Sequence, residues 1–288
     1  MRKAPQWPAL RPNLSWSLEP GALLVAAAYA WLYLRRWLAV RRQDGRDGEH
    51  RGASWGRLAC FAGGLVLLLV ALVSPVDSLS HQLAFVHMIQ HLLLADLAPI
   101  LLILGLTKVL LRPITKRVQA IERRAGPFGH PAFAVVAYVG AMWFWHTPVF
   151  YDAAYNHPLI HVLEHTCFFC AGFLYWWHLL SPIRSRMRLG GIGPLLYMGT
   201  TKLLVGFLGI LLTFAPGLLY TAYARGFHVW GLSPHDDQAV AGAVMALEQS
   251  IVMGIALVYL FYRAINDSER ETQRAERLED AAESLRLA

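Results

Sequence analysis

The sequence predicts an all-α integral membrane protein, a bundle of seven transmembrane helices with the N-terminus outside and the C-terminus in the cytosol. Three observations predict it. Of 288 residues, 56% are hydrophobic and only 16% are charged, a balance too apolar for one soluble domain. Seven stretches approach the roughly 20 apolar residues that cross the hydrocarbon. Lys and Arg gather in alternate loops, as the positive-inside rule requires of a multi-pass chain.

Residues 1–19 form the outer N-terminal segment. "MRKAPQWPALRPNLSW" is basic but has no apolar core ahead of a small-residue cleavage site, so no cleavable signal peptide is expected. The spans follow at about 20–39, 57–74, 83–106, 131–147, 158–180, 194–215 and 238–262, within a membrane domain of 20–262. None alternates with period two, which argues against strands. Pro148 ends the fourth span. The loop after the first span carries Arg35, Arg36, Arg41, Arg42, Arg46, Arg51 and Arg57. The loop after the third carries Lys108, Arg112, Lys116, Arg117, Arg123 and Arg124, and the loop after the fifth Arg184, Arg186 and Arg188. Arg263, Arg270, Arg274, Arg277 and Arg286 lie in the tail, 263–288, expected to be a charged cytosolic helix. The opposite side has only Arg2, Lys3, Arg11 and Arg225. That asymmetry sets the orientation. The formal charge of +7 then belongs to membrane topology, and no nucleic-acid partner is expected; the lipid bilayer is the first partner.

On this topology nine of the twelve histidines reach the outer side. His81, His87 and His91 open the third span. His146 ends the fourth. His157, His161 and His165 begin the fifth, where Asn156 fits an N-cap and Pro158 the first turn. His228 and His235 lie in the last outer loop. His50, His130 and His178 fall inside. The i,i+4 pairs share a helical face, and neutral imidazole is the commonest metal-ligating side chain. His87 and His91 against His161 and His165, joined by His157 and His146, predict one or two metals roughly 10–12 Å below the outer surface. The ordinary alternative is hydrogen bonding between helices; clustering on one face favours the metal.

Other groups carry less. Asp77, Asp152, Asp236 and Asp237 could orient ligands or attract a cation, but caps and turns are their ordinary role. Glu164 faces about 100° from His165 and is free to serve another neighbour. Met88, Cys167 and Cys170 offer soft sulfur, which suits Cu(I), although packing is the usual role of such residues. Asp96 and Lys202 sit at similar depth and are expected to form a buried ion pair, with Glu248 a rival partner for Lys202. Asp96 lies about 180° around the helix from His87, off the metal face.

Taken in order, "SPVDSL", "HMIQHLLL", "FWHTPVFYDAAYNHPLIHVLEHTCFFCAGFLYWW" and "WGLSPHDDQAVAGAVM" resemble the CtaG family of cytochrome c oxidase assembly factors, the caa-type group. The resemblance covers roughly residues 60–262. It implies a seven-helix protein of the bacterial inner membrane that delivers or inserts copper, as Cu(I), at the copper–haem centre of a nascent oxidase catalytic subunit. A periplasmic copper chaperone would be a further partner. The motif positions are Asp77, His87, His91, His146, Asp152, His157, His161, His165, Asp237 and Gln238. "ALEQSIVMG", with Glu248, departs from the apolar stretch the family has there. No substrate turnover is implied. Two alternatives stay open: a zinc-dependent intramembrane lipid hydrolase, with Asp77 or Glu164 as base, and a haem-b protein with axial histidines on facing helices.

Overall fold

A computed structural model describes residues 11–47, 52–183, 189–190, 192–225 and 229–287. Arg2, Lys3, His50, Arg51, Arg184, Arg186, Arg188 and His228 lie outside the described residues. Those that are described contain helix and no strand. The long elements are α1 (Pro20–Asp47), α2 (Trp55–Val73), a short α3 (Pro75–Ser80) and α4 (Ala84–Gly105). Two short helices follow, α5 (Lys108–Leu111) and α6 (Thr115–Ala125). Then come α7 (Pro131–Trp145), α8 (Pro148–Asn156), α9 (Pro158–Leu180), α10 (Gly193–Thr213) and α11 (Pro234–Leu287).

Six of these are long and apolar enough to cross a membrane. A seventh crossing exists if α7 and α8, bent by 74° at His146–Thr147, count as one broken span. The bend has a local cause. Pro148 denies an N–H to the helix behind it, and α7 alone, at 15 residues, reaches only about 22 Å. Outward faces carry Val136, Leu203, Phe207 and Ile255, all exposed, the composition of a surface that meets hydrocarbon. This is a multi-pass membrane protein. The tail joins the last span without a break, so α11 runs for 54 residues.

Backbone carbonyls and arginines tie one end together. Arg36 donates to the Val109 and Leu110 carbonyls, Arg41 to Ala53 and Arg57 to Leu104. The basic stretches after α1 and after α4 therefore share one end, as alternate loops must. At the opposite end, called here the histidine end, Asn13 N–H donates to Gln82, Ser15 meets Ser78, and Tyr155 donates to the His81 carbonyl.

α4 is irregular where it matters most. Residues Leu93–Leu97 form a π turn, with Ala98 N–H donating to the Leu93 carbonyl five residues back. α9 packs against this turn at Gly172, where an added Cβ would run into the Ala95 carbonyl. α10 and α11 approach in the same way at Gly242, whose Cβ would overlap the Gly209 carbonyl. Small residues let membrane helices come this close. Gly172→Ala is expected to destabilise the bundle by about 1–3 kcal/mol through overpacking, read as a lower melting temperature in detergent; an unchanged melting temperature would show that α4 and α9 can part without cost.

Candidate metal centre

The histidine faces of α4 and α9 meet. His87 and His91 stand one turn apart with ring centroids 4.2 Å apart, and His161 and His165 repeat this at 4.1 Å. Across the seam His87 lies 5.7 Å from His161, and His91 lies 5.8 Å from His165. The i,i+4 spacing builds the two faces as the sequence predicts. His146, delivered by the bend after α7, adds a third side 5.8 Å from His91.

Glu164 stands between them with no exposed surface. Its Oε2 is 3.8 Å from His87 Nε2, and its Oε1 is 3.6 Å from His91 Nε2. These separations are too long for hydrogen bonds. His87 Nε2, both ring nitrogens of His91, both oxygens of Glu164 and His165 Nε2 are all buried without a hydrogen-bond partner. An orphaned buried polar atom costs about 1–3 kcal/mol, so a group of them facing one another calls for an ion, a water or a proton.

An ion fits the spacing. Ligand atoms at about 2.0–2.1 Å from one metal stand about 3.3 Å apart at the tetrahedral angle and about 4 Å apart when collinear. The Glu164–histidine distances fall between these limits. Two three-donor sets have their ligand atoms within 4.8 Å of one another: His87, His161 and Glu164, and His91, Glu164 and His165. Glu164 belongs to both. His161 is only half-buried and packs on exposed His81, 5.2 Å away, which makes this side the rim. Tyr151 covers His87 at 5.1 Å and stacks on Tyr220 at 3.8 Å. Phe168 closes the side of His91 at 4.2 Å.

Residues 31–267 match the family described as cytochrome c oxidase caa3 assembly factor (Caa3_CtaG). The chain belongs to this family. The match begins within α1 and runs past the membrane-spanning part of α11, so it includes every residue of the cluster. An uncharacterized protein of Mycobacterium leprae (strain TN) is 22% identical over 273 residues, covering 86% of this chain and 39% of its own length. This chain thus spans about two-fifths of that relative. No solved structure matches.

The remaining candidates divide clearly in this member of the family. His157 is exposed, belongs to neither donor set and is itself the N-cap position of α9, where Asn156 was expected. Asn156 instead donates to the Asp152 carbonyl. The outer acids take the structural roles that are ordinary for them. Asp237 accepts from Ala84 and Phe85 N–H at 2.6 and 3.1 Å and so caps α4. Asp152 accepts from Thr221 and from Ala222 N–H, pinning the turn Thr221–Arg225. Asp77 accepts from Gln90 at 3.0 Å, while Gln90 also donates to the Ala71 carbonyl. Asp236 bonds Ser233. Gln238 holds Leu219 and Gly217. Cys167 and Cys170 are free thiols, the first half-buried and the second exposed.

The expected Asp96–Lys202 ion pair does not form. Asp96 accepts from Tyr138 Oη and Trp176 Nε1, each at 2.7 Å, so its demand is met by neutral donors. Lys202 is on an exposed face of α10, where its long stem can carry the ammonium toward an interface. Glu248 is buried and accepts from Gln249 at 2.7 Å; it does not pair with Lys202 either. Nor does Asp96 stay off the histidine face. Five residues are about 140° apart on an α-helix, but a π turn closes in about that number. Asp96 consequently lines the same cavity as His91 and His146.

Glu164 is the residue that sequence reasoning placed least well. The signal was present: a carboxylate beside a histidine within an apolar helix is expensive and so points to function. In metal-stripped protein, Glu164→Gln is expected to melt no lower than wild type, because it removes a buried charge that no group hydrogen-bonds. Thermal unfolding in chelator checks this; a melting temperature several degrees lower would mean that the carboxylate is held by the fold itself.

Proposed function

We propose that this assembly factor holds copper, as Cu(I), among His87, His91, Glu164, His161 and His165, and delivers it by ligand exchange to the copper–haem centre of a nascent oxidase catalytic subunit. The observation that carries the reading is the set of buried, partnerless nitrogens and oxygens that face one another at ligand spacing. Membership of the oxidase assembly family supports an oxidase as the partner. The copper is cargo here. Two overlapping donor sets around one carboxylate suit an ion that must be released as well as held.

The distribution of Lys and Arg supports a bacterial inner-membrane orientation with the histidine end outward. The ion would then be received from a periplasmic copper chaperone and passed sideways at matching depth. The close packing favours an ion over a haem, since Glu164 already stands between the histidines that would serve as axial ligands. A zinc hydrolase remains the rival, because Glu164 amid histidines also resembles a base beside a metal-bound water. Metal analysis of reduced, purified protein separates the two: copper supports the reading, and zinc with no copper overturns it.

His87→Ala combined with His91→Ala is expected to weaken copper binding by more than about 100-fold, beyond the 10–100-fold typical of losing an outer-shell partner. Oxidase activity and oxidase copper should fall while the protein stays in the membrane. His157→Ala should leave both unchanged. A fully copper-loaded oxidase in the double variant would refute the assignment.

A further inference from the structure

Next to the cluster, and sharing His91 with it, lies a cavity of about 20 Å³, room for one water or one bare ion. Three thioethers line it, each from a different helix: Met88 from α4, Met142 from α7 and Met245 from α11. Methionine in an apolar helix is ordinarily a packing residue. His146 makes this case different. Its Nδ1 is 2.7 Å from the Met142 carbonyl, which only accepts, so Nδ1 bears the proton and Nε2 a lone pair. That Nε2 faces Met88 Sδ at 3.2 Å, and a thioether has no proton to give. Two lone pairs are thus pressed together in a buried space, a contact that a soft cation converts into two bonds. One ring N–H on a backbone carbonyl with the other nitrogen turned inward is also how metal-bound histidines are held. Glu248 lines the same cavity and has a buried oxygen, Oε1, with no partner, which adds negative potential for a cation.

We propose that this cavity is a second metal site, built of Met88, Met142, Met245 and His146, that takes a soft monovalent ion, Cu(I) by class. His91, common to both sites, passes the ion between them by exchange of ligands. The ion remains Cu(I) throughout, so no electron donor or acceptor is needed. The inference rests on the copper reading above, and it separates a mixed nitrogen–oxygen site at the rim from a sulfur-rich one inside.

The test is X-ray absorption on full-length protein loaded anaerobically with Cu(I), with Cys60, Cys167 and Cys170 replaced by Ala so that only thioethers can supply sulfur. Two copper ions per chain and a sulfur back-scattering signal are expected. Met88→Leu with Met142→Leu and Met245→Leu, volume-conserving changes that a core tolerates, should abolish the sulfur signal and one copper equivalent. Glu164→Gln with His161→Ala should do the converse, leaving a sulfur-bound ion. Copper bound by nitrogen and oxygen alone, or a sulfur signal that survives the methionine changes, would overturn the inner site while leaving the proposed function standing. No copper bound at all would overturn both.

Discussion

A fully buried carboxylate that no proton donor touches is the constraint around which the bundle is organised. Glu164 has two charged-capable oxygens and two imidazoles near them, yet both separations exceed hydrogen-bonding distance. Burial of such a group is tolerable only with a counter-charge or a proton. Holding the donors apart at that distance requires rigid walls. The stacked Tyr151 and Tyr220, with Phe168, supply them. Tyr151 in turn donates to Tyr223, and Tyr223 donates to the Ser80 carbonyl, so the lining is tied back to the end of α3, just ahead of α4. A softer enclosure would let the imidazoles close on the carboxylate and quench the site with ordinary hydrogen bonds.

Charged groups near the surface do a different job. Asp237, Asp152 and Asp77 each accept from groups that would otherwise be orphaned, fixing where α4 begins and how the last turns pack. Those bonds give each of them a structural task. The contrast with Glu164 is that each of them accepts a hydrogen bond and it accepts none. Among the described carboxylates, the one with both oxygens buried and without a partner is the one aimed at histidines.

Much of this was legible in the chain itself. Hydropathy located the six helices long enough to cross, with α9 beginning at Pro158 and ending at Leu180 as expected, while the fourth expected span is the 15-residue α7 that crosses only if joined to α8. The i,i+4 pairs predicted two histidine faces, and the faces meet. What was not legible depended on departures from ideal helix geometry. Ideal spacing put Asp96 opposite His87, because periodicity assumes that one α-helix runs through the span. Depth counting joined Asp96 to Lys202, because depth is readable from sequence while azimuth between helices is not. Neutral partners such as Tyr138 and Trp176 are invisible to a search for opposite charges. Glu164, facing about 100° from His165, is read from the sequence only as free to serve another neighbour, and that same facing turns it toward the helix opposite.

The π turn of α4 shows what such a departure achieves. A regular helix has one phase along its whole length, so it can align only one set of side chains with a given neighbour. An inserted residue breaks that phase in the middle of the membrane. The upper half of α4 presents His87 and His91 to the first turns of α9, while the lower half presents Asp96 to Trp176, far along the same partner. α4 is one helix in length and two in angular register, and the slip between them works as a vernier that brings two polar stations onto a single seam.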